Sequence, residues 1–217
     1  MFRNVIFDLD GTLIDTGEGV AASAAYAAEQ LGLPALSQEA LKSFVGPPLR
    51  QSFIRHYGLD EAGVQEAVRA FRAYYSEHGL LRAAPYDGML ALCERLQAAG
   101  VRMGVATYKR EDYALRLLHH FGFDRCLSPI CGADAANTLT KADILHKCQA
   151  LMQTAPADCV LIGDTAHDAQ GAAAAGTPFL AVTYGFGFRT AADADEYPCI
   201  GTAASPAEIY DLVMQER

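Results

Sequence analysis

The run Asn4-Val5-Ile6-Phe7-Asp8-Leu9-Asp10-Gly11-Thr12-Leu13 decides the fold. Val5-Ile6-Phe7 is continuous apolar sequence, which fits a strand buried on both faces of a parallel sheet. Gly11-Thr12 supplies a turn directly after it. Two carboxylates, Asp8 and Asp10, stand at i and i+2 at the strand's end with no cation between them. Such a pair raises both pKa values unless a metal or a substrate offsets the charge. An Asx-turn would account for a lone Asp-Gly, but not for D-x-D-G-T after a buried strand.

Reading outward, further short apolar runs occur at Val101–Ala106 (ending at Thr107), Cys159–Ile162 (ending at Gly163-Asp164) and Phe179–Val182, with a weaker one at Pro129–Cys131. Helical patterns lie between them. Met89, Leu92, Cys93 and Leu96 recur at helical spacing before Gly100, and Leu117, Leu118 and Phe121 precede Gly122. Ile144, Leu145, Cys148 and Leu151 form a similar stripe, and Ser205-Pro206 opens a last helix. Strand and helix alternate from Pro85 onward, which predicts an α/β fold with a doubly wound parallel, Rossmann-like sheet. Residues 15–81 break the alternation. Their amphipathic stretches at Gly19–Leu31, Ser37–Phe44, Pro48–Tyr57 and Asp60–His78 predict a helical domain inserted after the first strand. The expected division is a core of 1–14 and 82–217 with a helical insert of 15–81.

Ligands in open α/β sheets bind beyond the carboxyl ends of the strands, and four clusters fall there. Asp8 and Asp10 are the first. Gly163-Asp164-Thr165-Ala166-His167-Asp168 adds two acids four apart, where an N-cap is the structural alternative. Together the clusters bring several carboxylate oxygens to one mouth, a donor set that suits Mg²⁺. Thr107, followed by Tyr108-Lys109-Arg110, offers a hydroxyl and backbone N–H groups at an expected strand-to-helix turn, a place for a phosphate oxygen. Lys141 opens the helix of Ile144–Leu151, at the positive end of its dipole; that mild cost hints at a task.

In this order, Asp8-x-Asp10-Gly11-Thr12, Thr107, Lys141 and Gly163-Asp164 with Asp168, the chain resembles the haloacid dehalogenase-like hydrolase superfamily. The early helical insert is similar to the small α-helical cap of its phosphoglycolate phosphatase and β-phosphoglucomutase branch. Gly46-Pro47-Pro48-Leu49 and Tyr184-Gly185-Phe186-Gly187 resemble phosphoglycolate phosphatase-type members most. Where many relatives read Thr-Ser-Lys or Ser-Asn-Lys, this chain has Thr107-Tyr108-Lys109, which adds a bulky ring.

The resemblance implies a Mg²⁺-dependent phosphatase. Asp8 would be the nucleophile, and Asp10 the acid and then the base. Thr107 and Lys141 would hold phosphoryl oxygens, with Tyr108 near the substrate. The metal would sit on Asp8, the backbone carbonyl of Asp10, and Asp164, with Asp168 in support. Dehalogenases lack the second Asp, and phosphonatases lack that acid and use a cap lysine, so Asp10 argues against both. A mutase of the β-phosphoglucomutase kind is the main alternative, and a non-catalytic binding protein on the same fold the remoter one. Arg50, after the Gly46-Pro47-Pro48 run, is a candidate partner for a second anionic group on the substrate.

Composition narrows the partners. Lys plus Arg is 17 and Asp plus Glu is 26, a net charge of −9, which argues against a nucleic-acid partner. The expected partner is a small phosphorylated metabolite: a phosphoglycolate-like compound, a sugar phosphate or a nucleotide. The six cysteines include no C-x-x-C pair and read as buried thiols of a reducing cytosol. With no long apolar run and no leader-like start, the expectation is a cytoplasmic protein without membrane contact, a monomer or weak homodimer.

Overall fold

The computed structural model describes residues 1–135 and 138–215; Glu216 and Arg217, the end of the expected core, lie outside them. The chain divides into two compact units, Met1–Ile14 with Pro85–Arg217, and Asp15–Ala84. It begins with β1 (Asn4–Phe7) and leaves the first unit through the two-residue strand β2 (Ile14–Asp15).

The unit Asp15–Ala84 contains α1 (Gly17–Gln30), α2 (Gln38–Lys42), α3 (Leu49–Tyr57) and α4 (Glu61–Tyr74). Local chemistry marks their ends. The Ser37 hydroxyl accepts the Ala40 N–H, and the Asp60 carboxylate accepts the Gly63 N–H. Gly58 closes α3 in the left-handed conformation. The helices close over Phe44, Phe53, Val64, Ala67 and Phe71, all buried. The sequence predicts one helix running to His78, but the structure changes to a π-turn over Tyr75–Gly79, where the Leu80 N–H bonds the Tyr75 carbonyl five residues back. A Cβ on Gly19 would stand 2.0 Å from the Gly79 carbonyl oxygen, so α1 and this turn meet backbone to backbone. The strand β3 (Ala84–Pro85) ends the unit.

The other unit continues with α5 (Met89–Ala98), β4 (Arg102–Arg110), α6 (Glu111–His120), β5 (Ile130–Ala133), α7 (Lys141–Met152), β6 (Cys159–Gly163), α8 (Ala166–Ala174), β7 (Phe179–Val182), α9 (Ala191–Ala194), β8 (Thr202–Ala203) and α10 (Pro206–Met214). Among the described residues its sheet has six strands in the order β5-β4-β1-β6-β7-β8, every pairing parallel. Val5, Ile6 and Phe7 are fully buried, as expected of a strand covered on both faces. Phe7 lies beside Val105 of β4 and Ile162 of β6. That register brings Asp8 and Asp164, each just past the end of its strand, and Thr107 within β4 to one edge. It is also the point where strand order reverses, the place for a ligand crevice in such sheets.

Two further features, in this unit, depart from the sequence reading. The strand expected to turn at Thr107 runs on to Arg110, and α6 starts only at Glu111. Its pairing with β5 shifts: Ala106 faces Cys131 and Arg110 faces Ala133. Thr107, Tyr108 and Lys109 therefore bulge out opposite the single residue Gly132. The short strand β8 has no counterpart in the sequence pattern, since two residues carry no periodicity. The six cysteines are free, five of them buried. Among the described residues, no helix is long and apolar enough to cross a membrane.

Candidate active site

Asp8 leaves the end of β1, and its backbone N–H bonds the Ile162 carbonyl of β6. Asp164 follows β6 directly, Asp168 lies in the first turn of α8, and Lys141 is the first residue of α7. Both helices start with a capping box. Thr140 accepts from the Asp143 N–H with Asp143 returning the bond, and Thr165 and Asp168 do the same. Each cap fixes where its helix begins, and so fixes Lys141 and Asp168.

The Lys141 ammonium stands 2.6 Å from Asp8 Oδ1 and 2.6 Å from Asp168 Oδ1. A Cβ on Gly171 of α8 would come within 2.5 Å of the Lys141 Cγ. Glycine there lets the lysine stem lie flat against α8. Asp164 is held differently. Its Oδ2 accepts the backbone N–H of Phe186 at 2.7 Å and of Gly187 at 3.3 Å, and the Thr12 hydroxyl donates to its Oδ1 at 3.3 Å. Gly11, at a φ of +88°, leaves no room for a side chain, since a Cβ would meet Asp164 at 2.2 Å.

Asp8, Asp164 and Asp168 are all buried, and each presents an oxygen within 4.8 Å of the others. Three carboxylates with one ammonium leave two negative charges uncompensated. Hard oxygen donors in that number and balance fit a divalent cation. The electrostatics agree. Burial, opposed by Lys141 and reinforced by Asp168 and Asp10, pushes the Asp8 carboxyl up to about 7. Burial and then the charges of Asp168 and Asp8 hold Asp164 well above the usual carboxylate range, against two backbone hydrogen bonds. Burial works against the Lys141 charge, but Asp168 and Asp8 outweigh it and raise its pKa above that of an ordinary lysine. The lysine stays charged, and the carboxylates are short of positive charge.

The Asp10 side chain lies outside the metal-ready cluster; its carboxylate pairs with Lys109 at 2.9 Å. Thr107 is buried, and its hydroxyl accepts the Lys109 backbone N–H at 3.1 Å. Tyr108 packs on the core cluster of the sheet domain, its hydroxyl accepting the Lys141 backbone N–H at 3.0 Å. His167 meets its ring edge-on. Arg50 belongs to the other unit, where it forms an exposed pair with Glu61. Sequence reasoning gave Lys109 no role. Its signal was its place two residues after Thr107, and only the bulge turns that place into contact with Asp10.

Residues 5–182 match the family model described as haloacid dehalogenase-like hydrolase. The chain is 36% identical over 210 residues to the Tyrosine-protein kinase PtkA of Mycobacterium tuberculosis, covering 96% of this chain and 72% of that protein. It is 37% identical over 187 residues to a 5′-nucleotidase of Pseudomonas aeruginosa, covering 86% and 85%. Over 219 residues it is 33% identical to a phosphoglycolate phosphatase of Chromobacterium violaceum, covering 97% and 96%. Among solved structures, that of a predicted phosphatase from Clostridium acetobutylicum superposes with a TM-score of 0.92 at 30% identity, covering 99% of each chain.

Proposed function

This chain belongs to the haloacid dehalogenase-like hydrolase family as a phosphatase, and we propose that it hydrolyses a small phosphomonoester with Mg²⁺ through an aspartyl-phosphate on Asp8. The observation that carries the reading is the convergence on Asp8 of the Lys141 ammonium and two further buried carboxylates.

In the first half-reaction a carboxylate oxygen of Asp8 attacks phosphorus in line. The bond to the ester oxygen breaks, and Asp10 gives that oxygen a proton. In the second half, water gives a proton to Asp10 and attacks phosphorus. The Asp8–phosphorus bond breaks, inorganic phosphate leaves, and Asp8 is restored. Lys141 and the Thr107 hydroxyl hold the phosphoryl oxygens and oppose the charge that builds on them. Asp8, Asp164 and Asp168, with the Asp10 carbonyl, are the residues that would hold Mg²⁺. When bound, the ion supplies the positive charge that lets an anionic carboxylate approach an anionic phosphoryl group. Uncatalysed phosphomonoester hydrolysis is so slow that enzymes supply up to ~10²¹-fold, which is why nucleophile, acid, cation and metal act together.

The substrate class is a phosphorylated metabolite of phosphoglycolate, sugar phosphate or nucleotide type. Relatives named phosphoglycolate phosphatase and 5′-nucleotidase support that range. The core site reads the phosphoryl group alone, so discrimination between alcohols falls to the unit Asp15–Ala84, acting as a cap. Arg50 would reach a second substrate anion by giving up its exposed pair with Glu61, and such surface pairs are weak.

The test is phosphate release from a panel of phosphorylated metabolites, with Mg²⁺ and with chelator. Phosphate appearing only with the metal supports the reading. A relative named a tyrosine kinase and the mutase alternative make phosphoryl transfer the competing outcome. Isomerisation of a sugar 1-phosphate in the presence of a bisphosphate, or label moving from ATP to a protein tyrosine, without free phosphate, would reassign the activity.

A further inference from the structure

The bulge in β4 does more than place Thr107. Three residues, Thr107, Tyr108 and Lys109, stand opposite Gly132 alone. A Cβ on Gly132 would lie 2.6 Å from the Lys109 carbonyl oxygen and 2.5 Å from the Glu111 Cα, so this partner strand must carry glycine for the bulge to form. The Gly132 N–H is in turn held by the Glu111 carboxylate at 3.1 Å, and that carboxylate also takes the Lys147 ammonium at 2.6 Å. The bulge is thus built in and braced from outside. What it aims is Lys109, whose ammonium reaches Asp10 Oδ1 at 2.9 Å with the two side chains only 7% and 11% exposed. A lysine placed this way on a strand rim is not a solvated surface charge, since bulges beside active sites serve to re-aim side chains.

We infer that Lys109 is a positioning residue for the proton transfers of Asp10. The inference rests on the reading of Asp10 as acid and then base. A carboxylate on a short side chain can turn about two bonds, and proton transfer needs one oxygen held at hydrogen-bond distance from the reacting oxygen. A charge-assisted hydrogen bond to Oδ1 fixes that rotation. Held in this way, the Asp10 carboxyl is set to give its proton to the leaving oxygen and then to take one from the attacking water. Lys141 and Lys109 divide the cationic work. One serves the nucleophile and the phosphoryl group, and the other serves the acid.

The division is testable because the two half-reactions need Asp10 differently. p-Nitrophenolate is a good leaving group and departs with little protonation, whereas an alkoxide does not. Lys109→Met, Lys109→Arg and, as reference, Asp10→Asn are compared with the parent under single-turnover conditions with Mg²⁺ and enzyme in excess. Nitrophenol release reads the first bond cleavage and phosphate release the second; glycerol phosphate serves as the alkyl ester. For Lys109→Met, nitrophenol release from p-nitrophenyl phosphate should stay within about threefold of the parent. Phosphate release from it, and both steps on the alkyl ester, should fall by about 30-fold or more. Lys109→Arg should recover most of the loss. Equal loss in every step on both substrates, or no loss, overturns the inference about Lys109. If Asp10→Asn itself shows no difference between the two substrates, the acid-base reading of Asp10 falls and the inference falls with it. If Asp10→Asn shows the difference and Lys109→Met does not, only the inference falls.

Discussion

The ammonium of Lys141 lies 2.6 Å from the carboxylate of Asp8, two side chains that come from opposite halves of the sequence and are almost wholly buried. Neither charge is stable there alone, because removing an ion from water costs several kcal/mol. They are held together by the capping box at Thr140, by the glycine at 171 and by the register that ends β1 beside β6. Each support can be tested separately.

Replacing the lysine tests the charge itself. Lys141→Met keeps the length of the side chain and removes its ammonium. Turnover should fall by about 10²–10³-fold, the usual loss when a preorganised donor to a developing charge is removed. Steady-state kinetics on any accepted phosphomonoester reads it. A loss below tenfold would show that the contact with Asp8 is structural.

Gly171→Ala tests the packing behind the lysine. In the interior of a helix alanine is ordinarily about 1 kcal/mol more favourable than glycine, so a glycine without a task would be improved by the change. The close approach of Lys141 predicts the opposite, a lower melting temperature together with lower turnover. A stabilised, fully active variant would remove this glycine from the account.

Metal binding should depend on pH in a defined direction. Asp8 titrates near 7 in the folded protein against an ordinary value of 3.8, and Asp164 is raised as well. A group raised in the folded state adds stability that is fully present below its unfolded pKa and is lost as pH rises through the folded one. The metal-free protein should therefore lose stability between about pH 4 and pH 7 on account of these groups. Mg²⁺ competes with the protons and restores what their loss removes. At a hundredfold excess over its dissociation constant near pH 8, the melting temperature should rise by about 5–10 °C, and by less near pH 5. A shift that is the same at both pH values would mean that the ion binds elsewhere.

For Arg50 the expected signature is selectivity. Arg50→Ala should lower kcat/KM about tenfold or more for a phosphomonoester with a second anionic group, equivalent to about 1.4 kcal/mol or more. p-Nitrophenyl phosphate should be hydrolysed as before. No loss on either substrate leaves Arg50 as the exposed partner of Glu61 seen here.

What the sequence revealed of this molecule follows from how local each signal is. The D-x-D-G-T run and Gly163-Asp164 were readable because each ends an uninterrupted apolar strand, and parallel strands of one sheet deliver such ends to one edge. Lys141 was readable as an oddity, a cation at the wrong end of a helix dipole; its burial between Asp8 and Asp168 supplies the reason. The reach of β4 past Thr107 was not readable. The bulge depends on a glycine 25 residues downstream, at 132, and on the Glu111 bond to it. Propensity at Thr107-Tyr108-Lys109 carries no trace of either. The same holds for Tyr108, whose hydroxyl accepts the first N–H of α7, a contact that no local pattern encodes. The π-turn at Tyr75–Gly79 was hidden for a similar reason, since it lies against Gly19 at a distance the local helical pattern does not encode.

The most direct test of the central claim is to look for the phosphoryl group on Asp8. Enzyme turning over a phosphomonoester with Mg²⁺ is quenched in acid, digested at low pH and analysed by mass spectrometry. The account predicts one added phosphoryl mass on the peptide that contains Asp8, lost on borohydride reduction and absent from Asp8→Asn, which should retain the fold and lose turnover by several orders of magnitude. Phosphate release without a phosphorylated enzyme under rapid quench, or the label on a residue other than Asp8, would contradict it.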